Sequence, residues 1–219
     1  MIRKRIKLTP TERISRSPID RERLWYGATG RKLRRISHWR QESLEGVNLD
    51  VRNEKSSLLP RAGEKRSIHT HVKKMGFGKD AALPLPTAKD ILEFAAPLTT
   101  HTLVKSHYAA VKAGKEVAGY TFFKIGRIKK SVIDKCFPGS RQGLTEEEIE
   151  EKVRFNILHM NYQFELADLV EMSYPKYAET FPKLLNRLEE AGVKIRFVPN
   201  RKLGYSFEKG VFIKKANQS

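Results

Sequence analysis

Apolar residues recur along this chain with two different periods, and the change from one to the other divides it. Over 145–167, Ile149, Val153, Ile157, Met160, Phe164 and Ala167 follow one another at spacings of four and three, which predicts one apolar stripe on a long helix. Thr145-Glu146-Glu147-Glu148 stands in front of that stripe as a capping box, in which two orphan backbone donors are satisfied reciprocally. A second helix over about 180–191 carries Leu184, Leu185 and Leu188 and stops at Gly192. Upstream the runs are shorter. Glu22 to Gly30, an apolar aromatic run ending at glycines, reads as a strand and a turn. Residues 33–40, with Leu33, Ile36 and Trp39, read as a second strand, although a spacing of three also suits a helix.

A third strand is expected over about 65–72, leading into Gly76-Phe77-Gly78 and a proline-flanked loop. Thr87 is a good N-cap for a short helix over 88–96 that ends before Pro97. Residues 102–111 and 116–125 then form a β-hairpin about Lys112-Ala113-Gly114-Lys115, the glycine supplying a positive φ. Residues 193–198 and 205–213 finish the chain as two strands. The fold class is therefore α/β in the α+β sense, a mixed sheet with short helices and a helical C-terminal extension that ends in a β-hairpin. The expected organisation is a basic N-terminal arm over 1–19, a mixed domain over 20–140 and the extension over 141–219.

Charge changes the picture. Of the net +18, residues 1–80 carry 21 Lys+Arg against 9 Asp+Glu, so the positive field is concentrated in the first third. Such a field attracts polyanions: RNA or DNA, an acidic protein, or anionic lipid. No apolar run approaches the roughly 18 residues needed to cross a bilayer, so no membrane span is expected. The N-terminus has basic residues but no apolar segment behind them, which argues against a secretory signal. The single cysteine, Cys136, excludes an intrachain disulfide framework and fits an intracellular (cytoplasmic) protein. Beside Phe137-Pro138 it reads as a small buried hydrophobe.

Candidate chemistry centres on Ile68-His69-Thr70-His71. Histidines at i and i+2 share a face only on extended backbone. A carboxylate at the start of the following helix, Asp90, supplies a third donor. Two imidazoles and a carboxylate, with a fourth position left to water, are the donor set of a catalytic Zn²⁺ site. His101, His107 and His159 have simpler readings as packed or surface residues.

Laid out in this order, residues 20–126 resemble the JAMM (MPN+/JAB) metalloprotease domain. Glu22 opens a Gly-containing apolar strand, His69-Thr70-His71 forms the His-x-His element, and Thr87-Ala88-Lys89-Asp90 matches Ser-x-x-Asp with threonine for serine. Val72 stands where most members have proline, and fifteen residues separate His71 from Thr87, about twice the family spacing. The resemblance implies a JAB/MPN-like fold in which His69, His71 and Asp90 hold Zn²⁺. Glu22 would act as general base toward the metal-bound water, with Glu42, Glu45, Glu54 and Glu64 as competitors nearer to the histidines. Thr87 would donate to the tetrahedral oxyanion. The reaction implied is hydrolysis of a peptide or isopeptide bond, in an acidic protein substrate or a ubiquitin-like conjugate.

Two other readings stay open. The helix, helix and hairpin at the C-terminus suit a winged-helix-like nucleic-acid-binding unit, with Arg196, Arg201, Lys202, Lys209, Lys214 and Lys215 on phosphates. That reading includes a metal-free MPN-like module bound to RNA or DNA. An HUH-type DNA nickase would instead pair the His-x-His element and a third histidine with a tyrosine nucleophile such as Tyr26.

Overall fold

The structure, a computed structural model, describes residues 23–27, 33–38, 66–71, 84–95, 106–168 and 174–215. The basic arm, Glu22, His101 and the loop over 72–83 lie outside these. In chain order the elements are β1 (Arg23–Gly27), β2 (Leu33–His38), β3 (Arg66–His71), α1 (Ala88–Ala95), β4 (Ser106–Ala113), β5 (Glu116–Ile125) and α2 (Lys130–Cys136). There follow α3 (Glu146–Phe155), a π-helical segment (Asn156–Tyr162), α4 (Gln163–Asp168), α5 (Tyr174–Glu190), β6 (Val193–Pro199), a 3₁₀ turn (Arg201–Leu203), β7 (Tyr205–Glu208) and β8 (Val211–Lys214). The protein has a mixed α+β fold. None of the described helices is long and apolar enough to cross a membrane.

Six of the described strands form one sheet in the order β2-β1-β3-β4-β5-β6. Only β3 and β4 pair in parallel, His69 beside Ala109 and His71 beside Val111, because α1 lies in the connection between them. β4 and β5 form the expected hairpin, with Gly114 at φ +58 in its turn. Opposite Val111 and Lys112 the register shifts, so that Ala118 is an extra residue on β5.

The segment after residue 140 does more than extend the domain before it. β6 hydrogen-bonds along β5, from Gly119 opposite Pro199 to Ile125 opposite Val193. Leu85, Ala88, Ile91 and Phe123 share one buried cluster with Val153, Leu158, Tyr177, Leu184 and Leu188. The winged-helix arrangement is therefore corrected, since residues 193–198, its first wing strand, are spent on the main sheet. Residues 205–213, expected as a single strand, are instead β7 and β8 around a Lys209-Gly210 turn, with φ of 46 and 88. Two residues with positive φ make the tight turn whose twist suits a hairpin. This small ribbon lies on the sheet, where Phe212 fills the space that a side chain at Gly119 would need.

The helical stripe also differs from expectation. The capping box at Thr145 forms as predicted, Glu148 N donating to Thr145 Oγ1 and Thr145 N to Glu148 Oε2. Ile149, Val153 and Ile157 are buried, but Met160 and Phe164 are exposed. The π-helical segment widens one turn and advances the inward face by a residue or two, so Leu158, Tyr162 and Leu166 are buried instead. Cys136 is exposed at the end of α2, which has no buried residue.

The turn that closes α5 carries Gly192, whose φ of +75 and tight seat leave no room for a side chain. A Cβ there would stand 2.7 Å from the Gly126 carbonyl oxygen. Gly192→Ala is expected to destabilise the protein by about 1–3 kcal/mol. A thermal melt should then show Tm lowered by roughly 2–4 °C for each kcal/mol. An unchanged Tm would show that the turn can re-form around the new side chain.

Candidate metal centre

Alternation along β3 places Ser67, His69 and His71 on one face of the sheet, and all three are buried. α1 crosses this face. Asp90 sits in its first turn, at the third helical position, and reaches both imidazoles. His69 Nε2 lies 3.6 Å from Asp90 Oδ1 and His71 Nε2 lies 3.5 Å from Asp90 Oδ2. The two Nε2 atoms are 3.0 Å apart. One donor atom from each residue falls within 4.8 Å of the others.

These separations suit a metal ion. Tetrahedral donors with bonds of about 2.0–2.1 Å to zinc stand about 3.3–3.4 Å apart, and the three distances fall on either side of that value. Two ring nitrogens aimed at each other across 3.0 Å must share a proton or accept a cation between them. Burial works against the charged form of Asp90, yet His69 foremost, with His71 beside it, outweighs that cost and holds its carboxyl well below the usual range. At neutral pH the set therefore includes an ionised carboxylate facing two imidazoles. His69, His71 and Asp90 could together hold a metal ion.

Asp90 is aimed by a reciprocal cap. Thr87 N donates to Asp90 Oδ2 at 2.7 Å and Asp90 N donates to Thr87 Oγ1 at 3.1 Å. This is the capping-box arrangement with aspartate in the place of glutamate. The loop before it is tied down in three places. Thr121 Oγ1 on β5 donates to the Pro84 carbonyl, Tyr162 Oη donates to the Pro86 carbonyl at 2.5 Å, and Ala88 N donates to Gln163 Oε1 at 3.0 Å. Tyr162 is fully buried, and burial, with Tyr177 and then Asp90 adding to it, pushes its hydroxyl well above the ordinary range. It is a permanent neutral donor. Sequence reasoning passed over Tyr162, Gln163 and Thr121, and only the shifted phase after residue 156 brings Tyr162 inward.

The remaining candidates fall elsewhere. His107 shares the face but is engaged locally, its Nδ1 2.8 Å from Ser67 Oγ and its ring stacked on Phe123. His159 is exposed on the π-helical segment and stacks on Phe155. The third donor assembled among the described residues is therefore a carboxylate, where a nickase of the HUH type would use a histidine. Tyr26 lies on β1 opposite Ser67, its side chain outside the described residues. Arg196 is on β6, Arg201 and Lys202 are in the 3₁₀ turn and Lys209 is in the β7–β8 turn, all exposed. No family model, curated protein or solved structure matches this chain.

Removing the Tyr162 hydroxyl should leave the buried Pro86 carbonyl without that donor. Tyr162→Phe is expected to lower unfolding stability by about 1–3 kcal/mol. Ser140→Ala, which alters an exposed loop contact, should change it by less than about 0.5 kcal/mol. Urea denaturation of the two variants compares them, and equal midpoints would remove Tyr162 from the support of the site.

Proposed function

We propose that this chain is a zinc-dependent hydrolase that cleaves a peptide or isopeptide bond in a JAMM-like manner. The observation that carries this reading is the convergence of His69, His71 and Asp90 on one point of a buried sheet face. Supporting it is the order of elements: His-x-His on β3, Thr-x-x-Asp at the start of α1, and a parallel β4 after it. Glu22, the proposed general base, immediately precedes β1 in the chain, and β1 pairs with β3.

His69, His71 and Asp90 would hold the metal. A bound zinc ion supplies a water whose pKa is lowered to about 7 and a Lewis acid for the scissile carbonyl. Glu22 would take the proton of the attacking water and return it to the leaving amine. Thr87 Oγ1 accepts from Asp90 N, so its own hydroxyl hydrogen is the group it would offer to the oxyanion, a contribution of about 2.7–4 kcal/mol in comparable sites. The positive field of the chain suits an acidic protein substrate, ubiquitin-like conjugates among them.

Purified tag-free protein should contain about one equivalent of zinc by elemental analysis, and His71→Ala or Asp90→Ala should abolish it. Glu22→Gln should keep the metal and reduce turnover of an isopeptide-linked conjugate on the order of 10²–10⁴-fold. Absence of stoichiometric metal even after added zinc would overturn the hydrolase reading. Loss of zinc from Glu22→Gln would make that residue a ligand instead of a base.

A further inference from the structure

The face of the sheet opposite His69 and His71 has its own organisation. Cross-strand registers put Tyr108 of β4, Phe122 of β5 and Arg196 of β6 side by side in one row. The Tyr108 and Phe122 ring centroids are 5.1 Å apart, and the Arg196 guanidinium lies over the Phe122 ring at 5.4 Å. In the next row along the strands, Lys124 stands directly opposite Lys194. Lys124, Lys194 and Arg196 are exposed, and none of them forms an ion pair among the described residues.

Two features of this arrangement point to a ligand. Like charges directly opposite each other on neighbouring strands destabilise a sheet, so the Lys124–Lys194 pair is unfavourable unless an anion lies across it. The aromatic row beside it is only partly covered, although on the other face of the same strands Phe123 is fully buried. Rows two residues apart lie about 7 Å from each other along a strand. The surface therefore presents partly exposed aromatic rings and positive charges side by side at that spacing. Single-stranded nucleic acid offers the complementary pair, exposed bases next to phosphates. A duplex keeps its bases stacked within, and an acidic peptide lacks planar rings at every repeat.

We infer that the β4–β6 face binds single-stranded nucleic acid, with bases stacked on the Tyr108–Phe122–Arg196 row and phosphates held by Lys124 and Lys194. Sheet platforms of this kind combine aromatic stacking with cationic flanks and show a preference for unpaired strands over particular sequences. The site is independent of the metal centre, because β-strand alternation puts the two on opposite faces.

The test uses full-length protein and fluorescein-labelled 12-mers of uridylate and of thymidylate, read by fluorescence anisotropy across a salt series. Lys194→Glu combined with Arg196→Glu should weaken binding on the order of tenfold or more and flatten the salt dependence by about one to two units of log–log slope. Lys130→Glu combined with Lys135→Glu on α2 makes the same change of net charge at other exposed positions and should leave affinity within about threefold. Phe122→Ala should weaken binding by roughly 5–150-fold while keeping the salt slope. His71→Ala should bind as the unaltered protein does, which separates this inference from the metal reading. Should the first double variant prove unfolded by circular dichroism, Lys124→Gln with Lys194→Gln replaces it, with weakened binding again expected. Preference for RNA over DNA, or the reverse, identifies the source of the strand and supports the site either way. Equal loss in the two double variants would reduce the effect to diffuse charge and overturn the inference. So would tighter binding of a 12-base-pair duplex, or no binding of either oligomer.

Discussion

A carboxylate withdrawn from water costs several kcal/mol unless its charge is met at close range. Asp90 is such a group, and much of the surrounding structure serves to hold it against His69 and His71. The imidazoles are fixed by their strand, since β3 is paired on both sides, antiparallel to β1 and parallel to β4. The carboxylate is fixed from a helix, which has to be stopped at its N-terminus and set at one height above the sheet. The reciprocal Thr87–Asp90 bonds perform the first task. The bonds from Thr121, Tyr162 and Gln163 perform the second, each to backbone within the four residues before α1 or to its first residue.

Those fastenings explain why the C-terminal half cannot be set aside as an appendage. Tyr162 and Gln163 come from the junction of the π-helical segment with α4. In an uninterrupted α-helix the stripe through Ile149, Val153 and Ile157 would continue to Met160 and Phe164, and Tyr162 would turn away from the loop it secures. The wide turn reverses this assignment at the cost of exposing two large apolar side chains. Segments of this type are energetically poorer than α-helix and recur at functional sites. Arg154 ties α3 to the same core, its guanidinium donating to the Ala191 carbonyl after α5 and the Gly126 carbonyl after β5. The sheet, the clamped loop and the helices therefore share one core.

How much of this was readable in the residues depended on the range of the interaction that fixes each feature. The His-x-His strand, the Thr87 cap, the β4–β5 hairpin and the Thr145 capping box are set by neighbours within a few positions, and each is legible in the chain. The phase shift after Phe155 is not, because no proline or glycine marks a π-turn and only the packing of Leu158, Tyr162 and Leu166 reveals it. The β7–β8 turn was missed because Lys209 is an unusual residue at positive φ, where Asn or Asp would have signalled a hairpin. β6 was assigned to a terminal hairpin because the next strand in sequence is the nearest partner, whereas its actual partner, β5, lies before all the intervening helices. Cys136 was expected inside on general tendency, yet α2 is a short surface helix whose residues are all at least partly exposed. The metal-type cluster was legible as residue types and spacing, whereas two of the side chains that fasten the loop before α1, Tyr162 and Gln163, come from more than 70 residues away.

The same sheet keeps two chemistries apart by alternation alone, which makes register the constraint on both faces. A slip of one residue in β4 or β5 would carry Phe123 out of the core and Phe122 into it. The pairing is pinned at two points. The Gly114 turn fixes the hairpin at its closed end, and the bulge at Ala118 gives one defined place where two residues face the same side. Beyond the bulge, Gly119 receives the Phe212 ring on the face that carries His69 and His71, so the β7–β8 ribbon can seat in one register only. Tyr205 on that ribbon donates to Glu116 near the turn, tying it back to the start of β5. A small ribbon at the chain's end thereby helps to decide which side chains point toward the metal-type cluster and which point away from it.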